Sequence, residues 1–275
     1  MNRSLTAASI DPHALSQRLE ARARQPRPAG SVDLALGDAR CGFMAAPVAD
    51  LLAVRVAGFT RRADLIALDD RGMDIEGRSE RLAQAARTLH EAGLVRGWRG
   101  ELLDVRATPA GPLLARIERA ACRTLAIGTC AVHLHATSAD GRIWVAQRSS
   151  HKAIDPGMWD TLVGGMVPAG ESELDALVRE AHEEAGLRLA PGAALVRGGR
   201  IAIERPVAEG YQVEAIQVFD LILDDGIEPN NMDGEVQAFA LRTPRDVLAS
   251  IDAGEFTLEA ALVTLDGIRR AAGAR

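Results

Sequence analysis

The stretch from Gly165 to Leu187 constrains the fold of this 275-residue chain more tightly than any other. It reads Gly165-Met166-Val167-Pro168-Ala169-Gly170-Glu171, then seven residues, then Arg179-Glu180-Ala181-His182-Glu183-Glu184-Ala185-Gly186-Leu187. Ser172 can cap a helix, Asp175 stands where a capping box closes, and Gly186 suits a left-handed stop. The spacing therefore predicts a helix from Glu173 to Ala185. At about 100° per residue, Leu174, Leu177, Val178, Ala181 and Ala185 form one narrow stripe that must pack on a sheet. Glu180, Glu183 and Glu184 gather on a separate patch at i, i+3 and i+4 spacing.

Three carboxylates on one patch are locally unfavourable. Like charges at this spacing cost about 0.2–0.5 kcal/mol per pair, and acids in a last turn oppose the helix dipole. A cation should compensate, and clustered carboxylate oxygens with no accompanying histidine or thiolate set favour Mg²⁺ or Mn²⁺ over zinc. Gly164, Gly165 and Gly170 permit tight turning where side chains would block a phosphate. Arg179 is the local counter-charge, placed to pair with Glu171 or with a metal-bound glutamate and so to orient it.

Composition narrows the partners. A net charge of -6 and a pI near 5.6 provide no electrostatic footprint for a nucleic-acid polymer or an anionic membrane, which leaves a small phosphorylated molecule. Cys41, Cys122 and Cys130 have no CxxC spacing, so a reducing cytoplasm is expected. The start of the chain has no apolar run of signal-peptide length, and nothing later reaches membrane-spanning length.

The length suits two domains. Asp11-Pro12 opens a polar helix that ends before the Pro26 to Gly30 stretch and reads as a loosely attached arm. A stronger helix is expected from Ser79 to Leu89, with Gly93 to end it, and another from Pro112 carrying Leu114, Ile117 and Ala121. These assign 1–125 to a smaller α+β domain and 126–275 to a second one. There the turn signal Asp140-Gly141 joins strands Ala131 to Ala136 and Ile143 to Gln147. A strand from Val213 to Leu223 and helices near Pro244 to Ile251 and Thr257 to Ile268 complete an α/β sandwich.

The Gly165–Leu187 segment resembles the Nudix box, G-x5-E-x7-R-E-U-x-E-E-x-G-U, at every fixed position. Seven fixed residues give a chance match on the order of 10⁻⁵ or less. The resemblance implies an α/β/α sandwich with a mixed sheet and hydrolysis of a phosphoanhydride. It implies Glu180, Glu183 and Glu184 as metal ligands, with Gly165, Glu171 and Arg179 supporting them. The water would be activated by Glu184 or by a glutamate outside the box, for which Glu235 in Asp233-Gly234-Glu235-Val236 is the candidate.

The flanks, Trp144-Val145-Ala146-Gln147-Arg148-Ser149, Lys152 and Pro156-Gly157-Met158-Trp159-Asp160, resemble the thiamine-pyrophosphokinase-related Nudix branch. Arg40-Cys41-Gly42-Phe43 and Gly97-Trp98-Arg99-Gly100-Glu101 resemble that branch's first domain, which has no known function. The implied substrates are thiamine diphosphate and its oxidised derivatives, cut to a monophosphate plus phosphate. A kinase is not implied, because the chain has no G-x-x-x-x-G-K-[ST] loop and Lys152 is its single lysine. Rivals are a nucleoside-diphosphate-linked substrate such as ADP-ribose or an 8-oxo nucleotide, a non-catalytic ligand sensor, and an isopentenyl-diphosphate isomerase. The isomerase would need a catalytic cysteine in a context that Cys130 does not reproduce.

Arg148 and Lys152 are candidates to neutralise phosphate, weighed evenly against plain surface charges. Trp159 and Tyr211 could stack on a flat ring, although packing roles are commoner for aromatics. His182 falls in a variable slot of the box and reads as a bystander. His133 and His135 alternate on a strand without a third ligand, which favours packing over zinc.

Overall fold

The computed structural model describes residues 10–189 and 194–273, so the segment from Met1 read for a signal-peptide run lies outside the described residues. Helix α1 (Pro12–Ala23) is capped by the Asp11 side chain, which accepts from the His13 N–H, with Pro12 in the first turn. It is not the loose arm expected. Leu15, Leu19 and Ala23 are buried in the core of the C-terminal half, so the helix is held by apolar packing that its polar overall sequence obscures.

The N-terminal body is a four-stranded sheet in the order β2-β1-β4-β3. Its strands are β1 (Val32–Leu36), β2 (Ala39–Met44), β3 (Phe59–Arg62) and β4 (Leu65–Leu68), with β1 and β4 parallel. Helices α2 (Ala46–Arg55) and α3 (Ile75–Glu91) cover it, and Leu34, Ile66, Leu82 and Leu89 form the fully buried centre. The helix expected from Ser79 begins a turn earlier because Asp74 caps it, accepting from the Gly77 N–H at 2.8 Å.

The helix expected after Pro112 does not form. Residues Ala115–Glu118 are strand β6, antiparallel to β5 (Leu102–Val105), followed by one 3₁₀ turn at Arg119–Ala121. Ala115 and Ile117 are buried while Arg116 is not, a period of two that a short apolar run shares with a helix pattern.

The C-terminal body is the expected mixed-sheet α/β/α sandwich. Seven strands take part: β7 (Thr129–Ser138), β8 (Ile143–Arg148), β9 (Trp159–Thr161), β10 (Val163–Met166), β11 (Val196–Val207), β12 (Gly210–Leu223) and β13 (Val236–Arg242). The path runs β11-β12-β7-β8-β13, with β10 on β7 and β9 on β8; β7 and β12 are parallel. On one face Val132, Leu134 and Phe219 pack under α4 (Glu173–Ala185). On the other, Ala131, Val145 and Ile216 meet α1, α5 (Pro244–Asp252) and α6 (Leu258–Gly273). The N-terminal body reaches the loop before α4 directly, since the Ala169 N–H donates to the Leu102 carbonyl at 2.8 Å.

Candidate active site

Helix α4 forms as its sequence dictates. Ser172 caps it, accepting from the Asp175 N–H at 3.1 Å, and Gly186 ends it at φ +64°. Its orientation differs from the amphipathic reading. Leu174 and Val178 are 49% and 38% exposed, whereas Ala176, Leu177, Ala181, Glu184 and Ala185 are buried. On a wheel of about 100° per residue the buried arc centres near Leu177, roughly 50° from the expected stripe. The sheet beneath this face carries the paired glycines of β10, and the glutamates lie over them.

Those glycines make room for the carboxylates. A Cβ on Gly165 would meet the Glu180 carboxyl carbon at 2.1 Å, and one on Gly164 would meet the His133 ring at 2.8 Å. The Gly164 N–H donates to Glu184 Oε2 at 2.9 Å. Burial lifts the Glu184 carboxyl to about 8, against the pull of that backbone bond. Burial also raises Glu180 above the ordinary carboxylate value, opposed by Arg179.

Arg179 lies where the excess negative charge calls for a cation. Its guanidinium donates to Glu180 at 2.9 Å, to Glu183 at 3.0 Å and to Glu171 at 3.3 Å. Burial disfavours its charge, but these three carboxylates outweigh that and hold its pKa above the usual value. Among the described residues no three His, Cys, Asp or Glu side chains stand assembled as a ligand set. Glu180 and Glu183 converge on one arginine nitrogen, and Glu184 turns inward to Gly164. As donors, these all-oxygen groups fit a hard divalent cation.

The cluster opens into a cleft of about 840 Å³. Lys152 and Glu235 both line it, joined in an ion pair. Burial would raise Glu235, yet Lys152 wins and holds it below the ordinary value. Arg148 also lines the cleft, but its donors are occupied by Asp160 at 3.0 Å and by the carbonyls of Ile154 and Asp155 at 2.9 and 3.1 Å. It is placed to shape the 149–158 loop, and its charge is already matched.

Trp159 is outside the cleft: its ring lies under the Arg242 guanidinium at 3.8 Å and packs on the α6 side of the sheet. The strand β9 carries Asp160 into the cleft, and alternation sends the neighbouring indole away. Tyr211 belongs to a different cavity and donates to the Gln25 carbonyl at 2.5 Å. His133 is buried against the Thr161 hydroxyl at 2.8 Å, His135 is buried beside Gly267, and His182 is exposed.

The N-terminal body supplies cleft residues that sequence reasoning did not single out. Arg119 pairs with Glu101 at 2.8 Å and Arg123 with Glu209 at 3.7 Å; from β11, Arg205 pairs with Glu259 at 3.5 Å. Among the described residues, Arg99 is the cleft-lining cation whose side chain has no carboxylate partner. Its signal in the sequence was its place in the Gly97-Trp98-Arg99-Gly100-Glu101 segment.

Comparison with known proteins agrees with this geometry. A model for the NUDIX domain matches residues 128–262, and one for a domain of unknown function, DUF4743, matches residues 17–129. Nudix hydrolase 20, chloroplastic, of Arabidopsis thaliana is 31% identical over 71% of this chain and 53% of its own length. Nudix hydrolase 24, chloroplastic, of the same plant is 31% identical over 60% and 46%. The chain thus spans about half the length of these curated relatives. An isopentenyl-diphosphate Δ-isomerase of Kocuria rhizophila is 28% identical over 56% of this chain and 83% of its own. The box on α4, its glycine-backed carboxylates and the matching models together establish that this chain carries a Nudix domain behind an N-terminal DUF4743 domain.

Proposed function

We propose that the chain is a divalent-metal-dependent hydrolase that splits the phosphoanhydride of a small organic diphosphate into a monophosphate and phosphate. The observation that carries this reading is the convergence of Glu180 and Glu183 on one cationic group beside Glu184, over glycines that admit no side chain. Glu180, Glu183 and Glu184 would hold Mg²⁺ or Mn²⁺, which when bound supplies charge neutralisation to the diphosphate and its leaving oxygen. Glu171 and Arg179 hold the ligand glutamates in place.

In the chemical step a water oxygen bonds to phosphorus in line with the bridging oxygen, which leaves with the other phosphate. The water's proton passes to a carboxylate, either Glu184 or Glu235. Glu235 must first release Lys152, which is then free to meet a phosphate oxygen. Arg99 adds a second free cation from the N-terminal body.

Within this class we assign thiamine diphosphate and its oxidised derivatives as substrates, on the resemblance of the 144–160 flank and of the Arg40–Phe43 and Gly97–Glu101 segments to that branch. A phosphate-release panel tests both levels. Metal-dependent release from the thiamine series, exceeding that from ADP-ribose and 8-oxo nucleotides, is expected; preference for a nucleotide would overturn the substrate, and no metal-dependent release from any compound would overturn the activity. The isomerase reading is disfavoured by Cys130, which lines the second cavity instead of the cleft and whose thiol pKa is raised by burial.

A further inference from the structure

A second cavity, of about 770 Å³, opens between the two bodies, and Glu180, Glu183 and Glu184 do not line it. Phe43 and Leu103 wall it from the N-terminal side, and Tyr211, Val213 and Ala215 of β12 wall it from the other. The Phe43 and Tyr211 rings stand 5.0 Å apart at 56°, and Arg27 covers Phe43 at 4.2 Å from the ring centre. A volume of this size and an aromatic, mostly apolar wall are the usual properties of a small-molecule site.

The charges around it leave a clear residue. Arg27 and Arg40 both pair with Asp33, Arg106 with Asp104 at 3.0 Å, Glu171 with Arg179 at 3.3 Å, and Glu173 with Arg197 and Arg200. Among the described residues this leaves two lining carboxylates, Glu204 and Glu214, with no cation at ion-pair distance. Glu214 takes only neutral partners, the Gln212 amide at 3.2 Å and the Thr129 hydroxyl at 3.4 Å. Burial and the neighbouring Glu259 push it up to about 7, so near neutrality it can accept from a ring N–H or donate to a ring nitrogen. Pro168 and Glu214 line both this cavity and the glutamate cleft, and Pro168 is on the loop that follows Gly165.

We propose that this cavity seats the organic group of the diphosphate substrate, and that this group is a planar heteroaromatic whose edge carries a hydrogen-bond-donating amino group. The inference rests on the diphosphatase reading for the cleft. It gives the N-terminal body a definite role, in which Phe43 and the 106–109 loop select the ring while α4 handles the phosphates, and the molecule bends past Pro168.

The full chain in EDTA, titrated calorimetrically with thiamine, adenosine and uridine, reads the cavity without turnover. At least one of the amino-bearing compounds, thiamine or adenosine, should bind more tightly than uridine. Phe43→Ala, and Ala107→Trp, which plugs the mouth from an exposed loop position, should each weaken that binding at least tenfold. For the best diphosphate of the release panel, both variants should raise KM at least tenfold and leave kcat within about threefold, with melting temperatures near that of the parent. Unchanged KM in both folded variants overturns the cavity assignment and leaves the diphosphatase reading standing. Heterocycle binding that both variants abolish, in a chain that cleaves no diphosphate, overturns that reading and keeps the cavity. Equal binding of all three compounds, or none, refutes the amino-group specificity.

Discussion

Glu183 shares one arginine nitrogen with Glu180 and is the more accessible of the two, so its charge is available to a metal at little structural cost. Glu183→Gln keeps the shape and removes the charge. Turnover at saturating Mg²⁺ should fall about a hundredfold or more, which corresponds to roughly 2.7 kcal/mol or more of transition-state stabilisation. Near-parental turnover in the folded variant would refute the ligand assignment. Arg99→Ala should act differently, because this guanidinium has no carboxylate to release: a lost charge-assisted phosphate contact predicts a KM increase of about tenfold, with no loss of thermal stability. Glu184 carries the pH dependence. Its folded value of about 8 lies above the reference 4.5, so the metal-free fold takes up a proton between those values. Its contribution to stability is therefore present below about 4.5, erodes as pH rises, and is gone above about 8, up to about 5 kcal/mol at the full shift. Urea midpoints in EDTA across pH 5 to 9 should fall more steeply for the parent than for Glu184→Gln; parallel curves would rule this out. Glu214, shifted in the same direction, remains in both proteins and cancels from the difference.

Helix α4 shows how a periodic pattern and a functional requirement compete within one element. The apolar stripe alone would bury Leu174 and Val178, yet the fold turns them outward so that Glu180 and Glu184 can lie over Gly165 and Gly164. Leu177→Ala should accordingly cost about 2–5 kcal/mol, as a fully buried leucine does. Leu174→Gln should stay within about 0.5 kcal/mol of the parent in denaturant melts, an outcome the amphipathic stripe would not allow. The ends of α4, the Asp140-Gly141 turn with its two flanking strands and the last two helices were legible because caps, turn residues and long periodic runs are local signals, whereas those strands pair only at Thr137 and Ile143 before β10 and β9 take up their edges. The N-terminal sheet was not, since strands such as Phe59–Arg62 are four residues long and owe their burial to partners elsewhere. The site divides the same way. Box carboxylates could be placed from spacing, whereas the Lys152–Glu235 pair, the matched charge of Arg148 and the outward turn of Trp159 depend on contacts between distant segments. The segment after Pro112 misled because Leu114, Ile117 and Ala121 keep a helical spacing while Ala115 and Ile117 keep the alternation that the strand uses.

At the scale of the molecule the two bodies are interlocked, although the sequence invites a cut between residues 125 and 126. Helix α1 is N-terminal in sequence but packs into the C-terminal core through Leu15, Leu19 and Ala23, beside Ile203 and the α6 residues Ala261 and Leu265. The Leu102 carbonyl holds the loop that leads into α4, and Arg99 reaches the cleft from the same side. Removing residues 1–125 would strip all three at once. Two buried leucines alone represent about 3–6 kcal/mol of apolar burial, a large part of the 5–15 kcal/mol that holds a typical domain together. For a fragment of this size each kcal/mol moves the melting temperature by about 2–4 °C, so 126–275 should melt roughly 10–20 °C below the full chain or aggregate. A covalently joined 10–25 segment, linked to 126–275 through a flexible tether, should recover most of that stability while leaving Arg99 and Phe43 absent. Calorimetry reads the first effect and KM the second. A fragment 126–275 that melts with the full chain would show that α1 is dispensable. A tethered fragment with parental KM would show that the N-terminal body takes no part in holding substrate.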